Sequence, residues 1–167
     1  MKIVHYPDPV LLEEAEEIGE ITDEIRVLAA DMLQTMYEGR GVGLAAPQVG
    51  VSKRLIVMNP SGAPGKGEEI CLANPVVEPD GPDKVECDEG CLSLPGVTGN
   101  VLRWRSVVLR GFGMDGKERV YKAVDIFARA AQHEVDHLDG ILIISKLSPA
   151  DRAAVKNKLR ELKSKAR

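Results

Sequence analysis

The chain has 167 residues, the size of one domain, since domains run to roughly 100–200 residues. Its 44% hydrophobic and 29% charged residues exclude a disordered or disulfide-stapled chain, and it contains no run of about 18 apolar residues to span a membrane. The net charge of −4 argues against a body built on nucleic acid, and against DNA as a partner, but it is unevenly spread: residues 151–167 carry +5, which leaves −9 for residues 1–150.

The opening MKIVHYPDPVLLEEAEEIGE breaks any leader-like apolar stretch with proline and glutamate, so a cytoplasmic chain whose three cysteines are free thiols or ligands is expected. A first helix begins after Thr22 or Asp23, either of which can cap it, and places Ile25, Leu28, Ala29, Met32 and Met36 on one face. It should stop near Gly39 to Gly41. Short β-rich runs follow at 54–59, 70–77, 107–114 and 119–124, with Asp115-Gly116 as a hairpin turn between the last two. A second helix follows Asp125 and closes at Gly140. A third starts at Ser148 with Pro149 in its first turn and sets Val155, Leu159 and Leu162 on one face, making residues 148–167 a basic C-terminal helix. The order reads as α+β: mixed or antiparallel sheets wrapped around a central helix, with a helix at each end, in a single domain over residues 1–167.

The central helix carries His133-Glu134-Val135-Asp136-His137. Positions four apart share a helix face, so both imidazoles can reach one metal ion with Glu134 beside them, an arrangement suited to a metal-bound water and a carboxylate that takes its proton. The alternative is a polar stripe on a solvated face, against which the flanking Phe127, Ala130, Ala131 and Leu138 argue. Two histidines leave a metal site incomplete. The residues after Gly140 are Ile141, Leu142 and Ile143, which excludes the longer zincin pattern with a third histidine, and Glu161 sits among lysines as an ion-pair partner rather than a ligand. Cys91, in the Gly- and Pro-bounded Glu89-Gly90-Cys91-Leu92-Ser93-Leu94-Pro95, is the better third ligand and would leave an open site. Cys87 keeps a second reading alive, because Cys87 and Cys91 with the two histidines have the spacing of a closed Cys2His2 structural zinc module. Cys71 reads as a buried strand residue. A third segment, Gly41 to Gly50, has small residues that allow close backbone approach, and Gln48 can donate to a carbonyl oxygen.

Together these segments resemble the peptide deformylase family: GVGLAAPQ at 41–48, EGCLS at 89–93 and QHEVDH at 132–137 stand in the family's order, and the likeness runs from YPDP at 6–9 to LSP at 147–149. The resemblance implies that Cys91, His133 and His137 bind the metal, and that Glu134 is general base and then acid. Gln48 and the Leu92 N–H would form the oxyanion hole, with Gly43 near the substrate backbone. It implies hydrolysis of the formyl group from N-formylmethionyl peptides by a metal-bound water, releasing formate, with Fe2+ as the active metal and Zn2+, Ni2+ or Co2+ as substitutes. Cys87 lies outside the matched motif, although its nearness to Cys91 leaves an oxidised pair open. Glu89 and Arg103 either pair and brace the Cys91 segment or stand as separate surface charges, and Asp136 reads as structural. The basic tail is either a solvated helix or a contact for ribosomal RNA, the second being what resemblance to bacterial deformylases implies. The chain departs from relatives at Leu12, where arginine is common, and at residues 96–100, which lack a basic or bulky side chain near Thr98. A zinc peptidase is the remaining alternative.

Overall fold

In the computed structural model, which describes residues 1–165, the apolar runs become strands of one antiparallel sheet. Its strands are β1 (Gly43–Ala45), β2 (Leu55–Met58), β3 (Ile70–Pro79), β6 (Ser106–Phe112) and β7 (Glu118–Val124), in that spatial order. A separate antiparallel pair joins β4 (Lys84–Gly90) to β5 (Thr98–Trp104). Around them lie α1 (Asp23–Glu38), α2 (Asp125–Leu138), α3 (Pro149–Ala154) and α4 (Lys156–Lys165). The α+β class stands, with every pairing between these strands antiparallel.

All four residues of β2 are buried because the sheet is covered on both faces. Leu55 and Val57 face α1, where Ala29, Met32 and Met36 pack on them, while Ile56 and Met58 face α2 through Ala128, Ala131 and Leu138. A period-two strand between two helices therefore reads as an uninterrupted apolar run. α2 packs against strands of both sheets, which makes it the centre of the molecule.

Three strands escape a reading of the sequence. β1 is only three residues long, and β4 is mostly exposed and acidic. β5 does alternate, but its inward positions are Gly99, Val101 and Arg103, so a glycine and a charge conceal the period. The turn at Asp115-Gly116 is a five-residue loop between β6 and β7, with Gly116 at φ +76° and Lys117 N donating to Asp115 Oδ1 at 3.1 Å.

Helix ends fall close to their expected places, with instructive differences. α1 does stop at Gly39, but the left-handed residue that closes it is Arg40, at φ +56°. Arg40 N donates to Tyr37 O and Gly41 N to Met36 O, both at 2.9 Å, the paired bonds of a Schellman motif. Gly140 ends α2 at φ +67°, and a β-carbon there would lie 2.8 Å from the Leu12 backbone. Ser148 caps α3 by accepting from Asp151 N at 3.1 Å. The single basic helix expected over 148–167 is two helices interrupted at Val155, a β-branched residue of low helix propensity; residues 166 and 167 of that expectation lie outside the described residues. Leu162 is buried with Leu11, Leu94, Val97, Leu142 and Leu147, and Val155 and Leu159 pack on the same cluster. The basic tail is thus part of the core on one side.

Candidate metal centre and active-site cleft

α2 places His133 and His137 one turn apart, and the segment leaving β4 brings Cys91 to them. The three ligand atoms lie within 4.8 Å of one another. Cys91 Sγ is 3.2 Å from His137 Nε2, which is 3.2 Å from His133 Nε2. Metal bonds of about 2.0–2.3 Å at tetrahedral angles put donor atoms a little over 3 Å apart, so the two 3.2 Å edges that meet at His137 match the donor spacing of such a site. His137 is buried, its charged form is disfavoured, and its pKa is driven well below the usual imidazole range, as a neutral ligand requires.

Cys87 takes no part. It lies on β4 with its Sγ 4.0 Å from Val85 O, and the three strand residues Asp88, Glu89 and Gly90 lie between it and Cys91, four steps of extended chain or about 13 Å, too far for one ion or a disulfide. The closed Cys2His2 reading and the oxidised pair both fail on this strand geometry. Cys71 lies on β3, partly buried, where burial pushes its thiol up to about 11. Glu161 pairs with Lys158 and Lys165 at 3.0 and 2.6 Å.

Behind the triangle runs a chain of charges. His133 Nδ1 lies 3.0 Å from Glu89 Oε2. Arg103 reaches Glu89 with Nε and Nη2, at 2.7 and 2.9 Å, and Asp136 with Nη1 at 2.6 Å. Lys146 closes the chain on Asp136 at 2.8 Å. Glu89 and Arg103 are buried, and burial alone would raise the carboxyl; the bonds from Arg103 and His133 win and hold it near 2. A carboxylate behind a ligating histidine fixes its tautomer and ring orientation. Of the two readings of Glu89 and Arg103 the ion pair is the one present, and Asp136 is a second anchor for Arg103.

Glu134 projects from α2 toward β1. Its Oε2 is buried without a hydrogen-bond partner, and burial raises its carboxyl to about 7. Gly43 forms the facing wall: a β-carbon there would sit 2.5 Å from Glu134 Oε1. Gln48, buried in the turn Ala46–Val49, accepts a hydrogen bond from Ala45 N at 2.9 Å through Oε1. That bond turns Nε2 toward Cys91 Sγ, at 3.5 Å, and toward Ser93 Oγ, at 3.4 Å. Leu92, next after Cys91, lines the same cleft of about 410 Å³. All seven residues singled out in the sequence, Gly43, Gln48, Cys91, Leu92, His133, Glu134 and His137, therefore converge.

Sequence reasoning gave no role to Ser93 and Gln132, although both lie in the matched motifs, and did not single out Arg40 and Arg129. Gln132 clamps β5 to α2, accepting from Trp104 N at 3.0 Å and donating to Trp104 O at 2.8 Å. Arg40 and Arg129 line the cleft. Arg129 could have been found from its place one turn before His133.

This fold and this centre define a metal-dependent hydrolase with an HExxH helix and a cysteine as third ligand. The chain belongs to the peptide deformylase family: the polypeptide deformylase profile matches residues 1–153. It is 45% identical to a peptide deformylase of Thermodesulfovibrio yellowstonii over 98% of both chains, and 49% identical to that of Halothermothrix orenii over 84% of this chain and 88% of the other. Among solved structures, Arabidopsis thaliana peptide deformylase 1B in complex with an inhibitor superposes with a TM-score of 0.95 at 37% identity, covering 99% of this chain and 92% of that one. A Plasmodium falciparum peptide deformylase gives 0.93 at 39% identity over 98% and 96%.

Proposed function

We propose that this chain, acting as one catalytic domain over residues 1–167, removes the formyl group from N-formylmethionyl peptides and releases formate. The observation that carries the reading is the buried, unpartnered Glu134 carboxyl beside three convergent soft and borderline donors, with the Gln48 amide aimed at the same point. A divalent metal held by Cys91, His133 and His137 supplies Lewis acidity, which polarises a carbonyl and lowers the pKa of a water toward about 7.

The protein's own groups supply the rest. Glu134, raised to about 7, can take a proton from the attacking water and return it to the leaving α-amine. Gln48 Nε2 and the Leu92 N–H would receive the charge that develops on the formyl oxygen; losing one such donor typically costs about 2.7–4 kcal/mol. Gly43 and its neighbours on the edge strand β1 let a peptide backbone lie close alongside. Little space remains beside Gly43 and Glu134, which favours a formyl group over longer acyl groups.

One thiolate and two imidazoles accept several divalent metals, and Fe2+ is the metal we assign, with Zn2+, Ni2+ and Co2+ as substitutes. We place the protein in the cytoplasm; none of its described helices is long and apolar enough to cross a membrane. For the tail we assign a ribosomal contact, supported by Arg152, Lys156, Arg160 and Lys163 around one surface groove. Because Leu162 is a core residue, cutting the tail at Ser148 would damage the fold. Lys156, Arg160 and Lys163 changed together to Gln is the sound probe, and undiminished ribosome co-sedimentation at low salt would reject the contact.

The activity is tested by anaerobic purification, metal analysis, and formate release from formyl-Met-Ala-Ser with a chelator control. Chelator-sensitive formate release supports the assignment. Cleavage of internal peptide bonds instead would indicate a zinc peptidase.

A further inference from the structure

The cleft holds two cations that the proposed chemistry does not use. Arg129 and Arg40 line it from different elements, α2 and the end of α1. Arg129 stands one helical turn before His133 and so shares its face; its side chain makes one long hydrogen bond, 3.4 Å, to the carbonyl of Asp88. Arg40 is exposed and holds a left-handed conformation, φ +56°, between two glycines. Glycine would occupy that position without strain, so the arginine stands there against a local conformational preference. Neither guanidinium joins an ion pair among the described residues.

The acids of the same cleft do not cancel them. Glu89 is bound by Arg103 and His133, and Glu134 is buried against Gly43. Among the described residues that line the cleft, Asp88 is the one exposed carboxylate, against two cations outside any ion pair. Walls of low dielectric focus the field of such an excess into the cleft, where the residues following a bound N-terminal methionine would lie.

We propose that Arg40 and Arg129 are specificity-determining residues that make this chain favour formylated peptides with an aspartate or glutamate one or two residues after the methionine. The inference rests on the deformylase reading above. It acts on binding rather than on the bond being broken, so it is read in kcat/KM and weakens as salt screens the charges.

The test compares formyl-Met-Xaa-Ala-Ser and formyl-Met-Ala-Xaa-Ser, with Xaa as Glu, Gln or Lys, at low and high ionic strength. At low salt the wild type should prefer Glu over Gln by roughly threefold to tenfold in at least one series, and Gln over Lys, as expected for rim charges. Arg40→Gly, which also suits the backbone, combined with Arg129→Met should bring the Glu-to-Gln ratio to about one. Each ratio is internal to one enzyme, so a general loss of activity cannot imitate this result. Equal rates for Glu and Gln in the wild type, or a preference that survives in the double variant, would overturn the proposal. Formate from the Gln peptides without a Glu preference removes this inference alone, whereas no formate from any peptide removes the deformylase reading with it.

Discussion

A β-carbon on Gly43 would lie 2.5 Å from Glu134 Oε1 and 2.9 Å from its carboxyl carbon. Strand β1 thus passes the carboxylate at a distance that only glycine permits, and the strand fixes where that carboxylate stands. Gly43→Ala should push Glu134 from its place while the strand remains paired with Met58. A displacement near 1 Å at a reacting group costs on the order of 100-fold in rate. Formate assays should show that loss with metal content retained; wild-type turnover in the variant would mean that the position of Glu134 is unimportant.

Glu134→Gln separates chemistry from stability. In the metal-free protein the carboxyl titrates near 7 because it is buried, against an ordinary 4.5. The unfolded chain gives up its proton first, so the stability associated with the protonated acid is complete below about pH 4.5 and is lost as pH rises through about 7. The loss is about 3 kcal/mol at most. Urea titrations of the metal-free proteins should find Glu134→Gln more stable than wild type at pH 8 and similar at pH 4. Activity should fall by at least about 100-fold, with metal still bound. A stability difference that does not change with pH would contradict the buried carboxyl.

The cysteines should behave as three different groups. Cys91→Ser should weaken metal binding and abolish most activity, whereas Cys87→Ser should leave metal content unchanged. Cys71, its thiol raised to about 11, should stay protonated at pH 8. Mass spectrometry after iodoacetamide should therefore find Cys87 alkylated before Cys71. Equal metal loss in the two serine variants would restore the closed-site reading.

Arg103→Met would leave Glu89 buried without its guanidinium partner, while Asp136 keeps Lys146; stranding the Glu89 carboxylate costs about 3–5 kcal/mol. Through Glu89 it should also weaken the hold on His133 and lower metal affinity by about 10–100-fold. Arg103→Lys restores charge but not the forked bond to Glu89, so its rescue should be partial. A double-mutant cycle with Glu89→Gln should give a coupling well above zero; additive losses in stability would show that the pair does not act as a unit.

Much of this arrangement can be read in the chain because it is local. The face of α1 formed by Ala29, Met32 and Met36 follows from a 3.6-residue period, and so does the approach of His133 to His137. Strands β2, β3, β6 and β7 announce themselves by apolar runs. β4 and β5 do not, because one is solvent-exposed and the other turns Arg103 inward. That arginine looks like a surface residue until Glu89 and Asp136 are seen around it.

By itself the sequence determined the class of fold, the pair of imidazoles and the candidate carboxylate, since helix periodicity and residue chemistry act within a few positions. The motif match favoured Cys91 over Cys87, but only the tertiary structure gave the physical reason, because strand direction carries one thiol away and delivers the other. It also showed that β1 needs Gly43 to clear Glu134, that the basic tail is anchored by Leu162, and that Arg40 and Arg129 share one cleft. Each of these depends on distances between segments far apart in the chain, which packing sets and local pattern does not.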